Sequence, residues 1–534
     1  MSIESRDEAA WWESAVIYEV ALISFQDSNG DGKGDLAGLI SRIDYLKWLG
    51  IDAVWLTPIY KSPFRDLGYD ISDYCAIDPA FGSLEDFDRL VKALHAEEIR
   101  LILDLVPNHT AHDHEWFVES SSSRNSAKSD WYIWADAAEN GGPPNNWLSR
   151  FGGSGWEWCE ARRQYYYHSF LTEQPDLNWR NPQVRGAIAD IMRFWLDRGV
   201  DGFRVDASAV LIKDELLRDN PPNPDAEGKP PPQRQTPVFT DDRPETMSCI
   251  EFIRDVIDDY PGRLLCGEVQ GKTDRIGHFY GNDRPRLHLP LNFALLDSQW
   301  DALSLQATID AYFNAIPEHA WPVWVVGGHD KQRIASKIGE PQMRVLAMLL
   351  MTLWGTPFLY MGDEIGRKRV PIPPDRVCDP FEKLVPGYDL CRDPERAPMR
   401  WDDSARGGFT TGEPWLPLER PDGAVNLAAQ RRDKRSLLAL FRALIALRRE
   451  HACLRQGDYK ALRSRSDVLA FRRIEGRNEI LVALNIAAEP RNWHWLGRGR
   501  LLMSTHLDRS PEPLPEASLL LRGNEGVIIA IEAR

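Results

Sequence analysis

Asp206 closes a short apolar run, Gly202-Phe203-Arg204-Val205-Asp206. A charged side chain at the buried end of a strand costs on the order of several kcal/mol unless it is paired or put to use. Arg204 stands two residues earlier, on the same face, because strand side chains alternate. The pair reads in two ways: a buried ion pair, or a carboxylate nucleophile held ionised by its arginine. Other apolar runs end in the same manner. Arg100–Val106 leads into Pro107-Asn108-His109, Leu264-Leu265-Cys266 into Gly267-Glu268, and Pro322–Val326 into Gly327-Gly328-His329-Asp330. Carboxylates gathered at one mouth must separate in pKa, and the separation assigns them different roles. Two of them flanking a glycosidic bond is the arrangement for hydrolysis or transfer of a sugar.

Positioning these residues requires strands that end on a common face. Strand, loop and helix alternate along the chain. Ile17–Phe25 reads as a strand, Leu36–Leu49 as a helix ended by Gly50, Ala53–Leu56 as a strand and Leu84–Ala96 as a helix. Further helices are expected over Pro182–Gly199, Glu245–Tyr260, Gln342–Thr352 and Ser436–Glu450, with a strand over Pro357–Met361. Such alternation predicts an α/β fold with a parallel sheet. Polar and acidic residues at the strand C-termini point to a (β/α)8 barrel, whose active site lies on that face. The alternation breaks at residues 111–176, which are rich in Ser, Gly, Trp and Asn and too long for a loop. Residues 220–244 form a Pro-rich excursion, read as an ordered loop or a flexible lid. The tail carries strands alone. The expected organisation is a barrel over residues 1–110 and 177–455, an inserted small domain over 111–176 and an all-β sandwich over 456–534.

Asp27-Ser28-Asn29-Gly30-Asp31-Gly32-Lys33-Gly34-Asp35 places oxygen side chains at alternate positions between glycines, a pattern for a hard cation. The loop begins like an EF-hand, but its twelfth position is Gly38 rather than Glu.

The 534 residues carry a formal net charge of −16. That balance argues against nucleic acid and an anionic membrane surface as partners. No apolar run reaches the length of about 18 residues needed to span a bilayer. Seven scattered cysteines without C-x-x-C spacing fit free thiols in a reducing compartment. With no leader pattern in Met1–Glu8, the expected location is cytoplasmic. Twenty tryptophans are mostly core residues, yet aromatic faces also suit sugar rings.

In order and wording, several stretches resemble the α-amylase superfamily (glycoside hydrolase family 13), nearest its α-glucosidase and oligo-1,6-glucosidase branch. They are Asp27–Asp35, Asp66-Leu67-Gly68-Tyr69-Asp70, Asp104–His109, Gln174–Trp179, Gly202–Asp206, Gly267-Glu268, His329-Asp330 and Arg392–Met399. The resemblance implies Asp206 as nucleophile, Glu268 as general acid/base and Asp330 as stabiliser of the distorted sugar. It implies that His109 and His329 bond the same sugar's hydroxyls and that Arg204 keeps Asp206 ionised. It further implies that Asp66 and Arg392 grip the non-reducing end, that Tyr69 stacks on the ring and that Phe170 lines the pocket. Asp27, Asn29, Asp31, the Lys33 carbonyl and Asp35 match a structural calcium or magnesium loop; no organic cofactor is implied. The implied activity is retaining exo-α-glucosidase action on a short oligosaccharide or α-glucoside, by a monomer or homodimer. A glucosyltransferase or trehalose synthase-like isomerase, and a non-catalytic binding subunit, are the alternatives. Leu67 stands where relatives usually have Asn. Ala207, where α-1,6-specific members tend to have Val, leans towards α-1,4 links or broad specificity.

Overall fold

The computed structural model describes residues 9–269, 273–418, 425–465, 467–495, 497–514 and 517–532. Residues 1–8, on which the absence of a leader was read, lie outside the described residues.

Eight strands form one parallel sheet: β1 (Ile17–Val20), β2 (Ala53–Leu56), β3 (Arg100–Leu105), β4 (Gly202–Val205), β5 (Leu264–Glu268), β6 (Leu289–Leu291), β7 (Val323–Val325) and β8 (Thr356–Tyr360). Their order is β6-β5-β4-β3-β2-β1-β8-β7. The Asn292 amide donates to the Val323 carbonyl (3.2 Å) and carries the ring across from β6 towards β7. The fold is therefore the (β/α)8 barrel that the alternation implied. Its strands are buried on both faces, as parallel strands covered by helices must be. β6 was not legible, because three residues around Pro290 carry too short a pattern.

Helix ends follow local rules. Ser83 and Asp86 form a reciprocal capping box on helix Leu84–Ala96. Asn181 caps helix Pro182–Asp197, with Pro182 at its first position. Two expected elements are shorter than read. The first strand stops at Val20, and a 3₁₀ turn over Leu22–Ser24 follows. The helix over residues 36–49 is two helices, Leu36–Ile40 and Ile43–Leu49, broken at Ser41-Arg42.

Within residues 111–176 lies a three-stranded sheet of Trp134–Ala135, Gln164–Tyr167 and Trp156–Cys159. Its small core is Ala135, Trp147, Trp156 and Tyr167, with Leu217 and, from the Pro-rich excursion, Phe239 packed against it. Asn146 holds the excursion twice, donating to the carbonyl of Asn220 and accepting from its amide. Arg150 pairs with Asp241 at 2.6 Å. The excursion is thus an ordered wall docked on the insertion.

The C-terminal part holds a six-stranded antiparallel sheet and a two-stranded one, Arg491–Trp495 with Ala517–Leu521. Alternation sends Leu469, Phe471, Ile480 and Val482 to the core shared with the barrel. Val468, Ala470, Leu481 and Ala483 face the core under the smaller sheet. Among the described residues no helix is long and apolar enough to cross a membrane. All seven cysteines are unpaired.

Candidate active site

Register inside the barrel builds the site. Asp104 on β3 and Cys266 on β5 are the cross-strand neighbours of Arg204 on β4. Side chains of equal parity face one way, so Asp104, Arg204 and Asp206, with Glu268 two residues beyond Cys266, meet above the barrel core. The Arg204 guanidinium binds three carboxylates. Nη1 donates to Asp104 (2.8 Å) and Asp206 (2.6 Å), and Nη2 donates to Glu268 (2.5 Å). Arg204 is 2% exposed, Asp206 9% and Glu268 7%. Burial, with Asp104, Glu268 and Asp330 acting in the same sense, lifts the Asp206 carboxyl to about 7, while Arg204 opposes it.

Asp330 is held differently. Its Oδ1 accepts from Arg396 and, at 3.4 Å, from Arg392, and its Oδ2 lies 3.2 Å from His329 Nε2. Burial works against its charge, but His329, Arg396 and Arg392 hold it well below the ordinary carboxylate range. Burial lowers His109, which is thereby a neutral ring at neutral pH. Asp206 and Asp330 are therefore separated by their surroundings, as different roles require.

A cavity of about 550 Å³ opens over these groups. Asp66, Tyr69, His109, Phe170 and Arg392 line it together with Asp206, Glu268 and Asp330. Arg204 and His329 (4% exposed) stand behind that wall, with Nη1 and Nη2 of Arg204 and both ring nitrogens of His329 bonded to protein groups. At one end Arg392 donates to Asp66 (2.8 Å) and to Asp379 (2.8 Å). The rings of Phe151 and Phe381 flank the guanidinium at 5.4 and 5.1 Å. Gln174 donates to Asp66 at 3.2 Å. Residues of the excursion, such as Pro230, Gln233 and Asp241, also line the cavity. Ala207, next to the nucleophile candidate, also lines the cavity and has φ 48.

Sequence reasoning missed Asp104, Asp379, Arg396 and Phe151. Asp104 had a signal, since it is a carboxylate inside an apolar strand. The others contact the site through loops whose approach no local pattern reveals.

The acidic loop folds on itself. Asp27 Oδ1 accepts the amides of Asn29 (2.9 Å) and Gly30 (2.7 Å), and Oδ2 accepts that of Gly32 (2.8 Å). Asn29 and Asp31 each accept an amide two residues on. Asp35 caps the next helix through Gly38. Among the described residues no three Asp, Glu, His or Cys side chains gather as a metal cage.

Residues 20–457 match the α-amylase catalytic domain. This chain belongs to the α-amylase family. Among curated relatives of this family member, a probable α-glucosidase of Rhizobium meliloti is 39% identical over 90% of both chains. An oligo-1,6-glucosidase of Parageobacillus thermoglucosidasius is 36% identical over 90% of this chain and 91% of its own. Among solved structures, the α-glucosyl transfer enzyme XgtA superposes with a TM-score of 0.92 at 38% identity, covering 98% of this chain and 100% of that one. The trehalulose synthase MutB of Pseudomonas mesoacidophila gives 0.89 at 34% identity, over 98% and 100%. The domain match and these likenesses make the family member a glycoside hydrolase.

Proposed function

We propose that the protein is a retaining exo-acting α-glucosidase that removes terminal α-linked glucose from short oligosaccharides or α-glucosides. The observation that carries this is the single guanidinium of Arg204 shared by Asp206 and Glu268, two carboxylates that line the cavity. It draws the two carboxylates together, and close spacing is the mark of retention. Asp206 attacks the anomeric carbon while Glu268 protonates the departing oxygen, giving a β-glucosyl ester. Glu268 then takes a proton from water, the water oxygen bonds to the anomeric carbon and Asp206 leaves. Asp330 and His109 face the sugar in this reading. The Asp66–Arg392 pair closes the non-reducing end and permits only terminal residues to enter.

The names of the relatives support α-glucosidase and oligo-1,6-glucosidase activity equally. A panel of glucose disaccharides differing only in linkage decides between them, with Ala207→Val as the companion variant. Hydrolysis of a nitrophenyl α-glucoside with initial release of α-glucose, abolished by Asp206→Ala, is the expected result. An equally active Asp206→Ala enzyme would refute the assignment.

Glucosyl transfer is the second reading. It rests on the likeness to the glucosyl transfer enzyme and to trehalulose synthase, and on the built wall that the excursion gives the acceptor side. Dominant transfer products at modest acceptor concentration would favour it.

The all-oxygen donors of Asp27, Asn29, Asp31, Lys33 and Asp35 suit calcium or magnesium, which would tie the loop without joining the chemistry. Chelation should then lower the unfolding temperature, and a metal-free preparation with unchanged melting would reject the site. The unpaired cysteines support a cytoplasmic location.

A further inference from the structure

Behind the cavity wall lies a hydrogen-bonded chain that the proposed mechanism leaves unused. Glu19, on β1, is 2% exposed. Its Oε1 accepts from the Nδ1 of His329 (2.6 Å) and from the His329 backbone amide (3.1 Å). Across the ring, Nε2 lies 2.8 Å from the Tyr69 hydroxyl and 3.2 Å from Asp330 Oδ2. The Tyr69 hydroxyl donates to Asp104 Oδ2 (3.0 Å). A hydroxyl has one proton to give. Having given it to Asp104, Tyr69 can only accept from the imidazole, so Nε2 carries a hydrogen. Nδ1 faces a carboxylate oxygen and carries one as well.

We infer that Glu19 is a positioning residue that keeps His329 as an imidazolium, so that a fixed cation braces Asp330 in the glucose pocket. The inference deepens the glucosidase reading and rests on it for the word "pocket", but the protonation state is independent of any activity. The surroundings of His329 are consistent on every side. Glu19 approaches from β1 and the Trp55 ring from β2 at 6.2 Å. Tyr69 comes from the 66–70 loop, with its ring parallel to the imidazole at 5.5 Å, and Asp104 lies beyond it on β3. Asp330 follows in the chain, and Arg396 Nε holds the His329 carbonyl (3.0 Å). Asp363 lies near the preceding turn, against the space a side chain on Gly327 would fill. Burial opposes the charge on His329, yet Asp330 and Glu19 outweigh it and lift the ring to about 9. His109, lining the same cavity, is held neutral by burial. One site thus keeps two histidines in opposite states, one as a neutral hydrogen-bonding group and one as a cation.

The test is a titration of histidine ring nitrogens in ¹⁵N-labelled protein, with His329 assigned through His329→Gln. In the wild type both ring nitrogens of His329 should remain protonated from pH 5.5 to 8. In Glu19→Gln the ring should titrate at least tenfold more readily, with a midpoint a full unit lower. Glu19→Asp, which keeps a carboxylate, should retain the high midpoint. A wild-type midpoint near the ordinary value of about 6.5 would overturn the inference, even if Glu19→Gln failed to fold. An unchanged midpoint in folded Glu19→Gln would do the same. As a second readout, Glu19→Gln should lose kcat/KM selectively at alkaline pH and recover it towards pH 5.5, whereas a merely structural defect would lower it at every pH. Inactivity of the wild type on all α-glucosides, with His329 titrating as stated, would reject the glucosidase reading and leave this one standing.

Discussion

Arg204 sets the charge state of the site, because one guanidinium faces Asp104, Asp206 and Glu268. The Asp206 carboxyl, at about 7, is a balance between burial with like charges and this single cation. The sign of each perturbation follows. Removing the cation in Arg204→Met disfavours the ionised nucleophile, so the acid limb of kcat/KM should move to higher pH. Activity at neutrality should fall by roughly 10²–10⁴. Removing a like charge in Asp104→Asn should move the same limb to lower pH. Parallel shifts in the two variants would contradict this account. The Arg204–Asp206 relation was legible, since residues two apart on a strand share a face. The pairings of Asp104 and Glu19 were not, because their partners lie far away in the sequence.

At the scale of elements, the Asp66–Asp70 loop shows how a departure from the family pattern is tolerated. Leu67 has φ 52, a conformation disfavoured for a side chain of its kind. Asn, which relatives usually carry there, visits that region more readily. Asp70 pins the turn by accepting the amides of Arg65 (2.7 Å) and Asp66 (3.0 Å), which fixes Asp66 for Arg392. Leu67→Gly or Leu67→Asn should therefore stabilise the protein by about 1 kcal/mol and leave KM nearly unchanged, as calorimetry and kinetics would show. A lowered melting temperature would mean that Leu67 packing outweighs the backbone strain. The helices were legible almost to the residue where caps mark them, as at Ser83 and Asn181. The excursion was not, because its order comes from Asn146 and Arg150 on a distant segment.

For the whole molecule, burial of carboxyls makes stability depend on pH. Asp363 is raised to about 7, chiefly by burial, and its Oδ2 has no hydrogen-bond partner among the described residues. Asp70 is raised to about 6 for the same first reason. A carboxyl that holds its proton more tightly when folded stabilises fully below its unfolded value of about 4. That contribution is lost as pH rises through the folded value. Asp363→Asn should consequently flatten the fall in unfolding temperature between pH 5 and pH 8, measured by calorimetry. An undiminished fall would show that Asp363 is ionised throughout.

Sequence alone determined the alternation of strands and helices, the capped helix starts, the oxygen-rich loop and the strand ends that carry Asp206, Glu268 and Asp330. These are local or periodic properties, fixed by side-chain parity and backbone preference. Only the tertiary structure decided that Asp104 shares Arg204, that Asp379 braces Arg392 and Arg396 holds Asp330, and that Glu19 and Tyr69 meet the two ring nitrogens of His329. Those pairings depend on strand register and loop docking across hundreds of residues. A buried charge must find a partner, but its sequence neighbourhood does not say which.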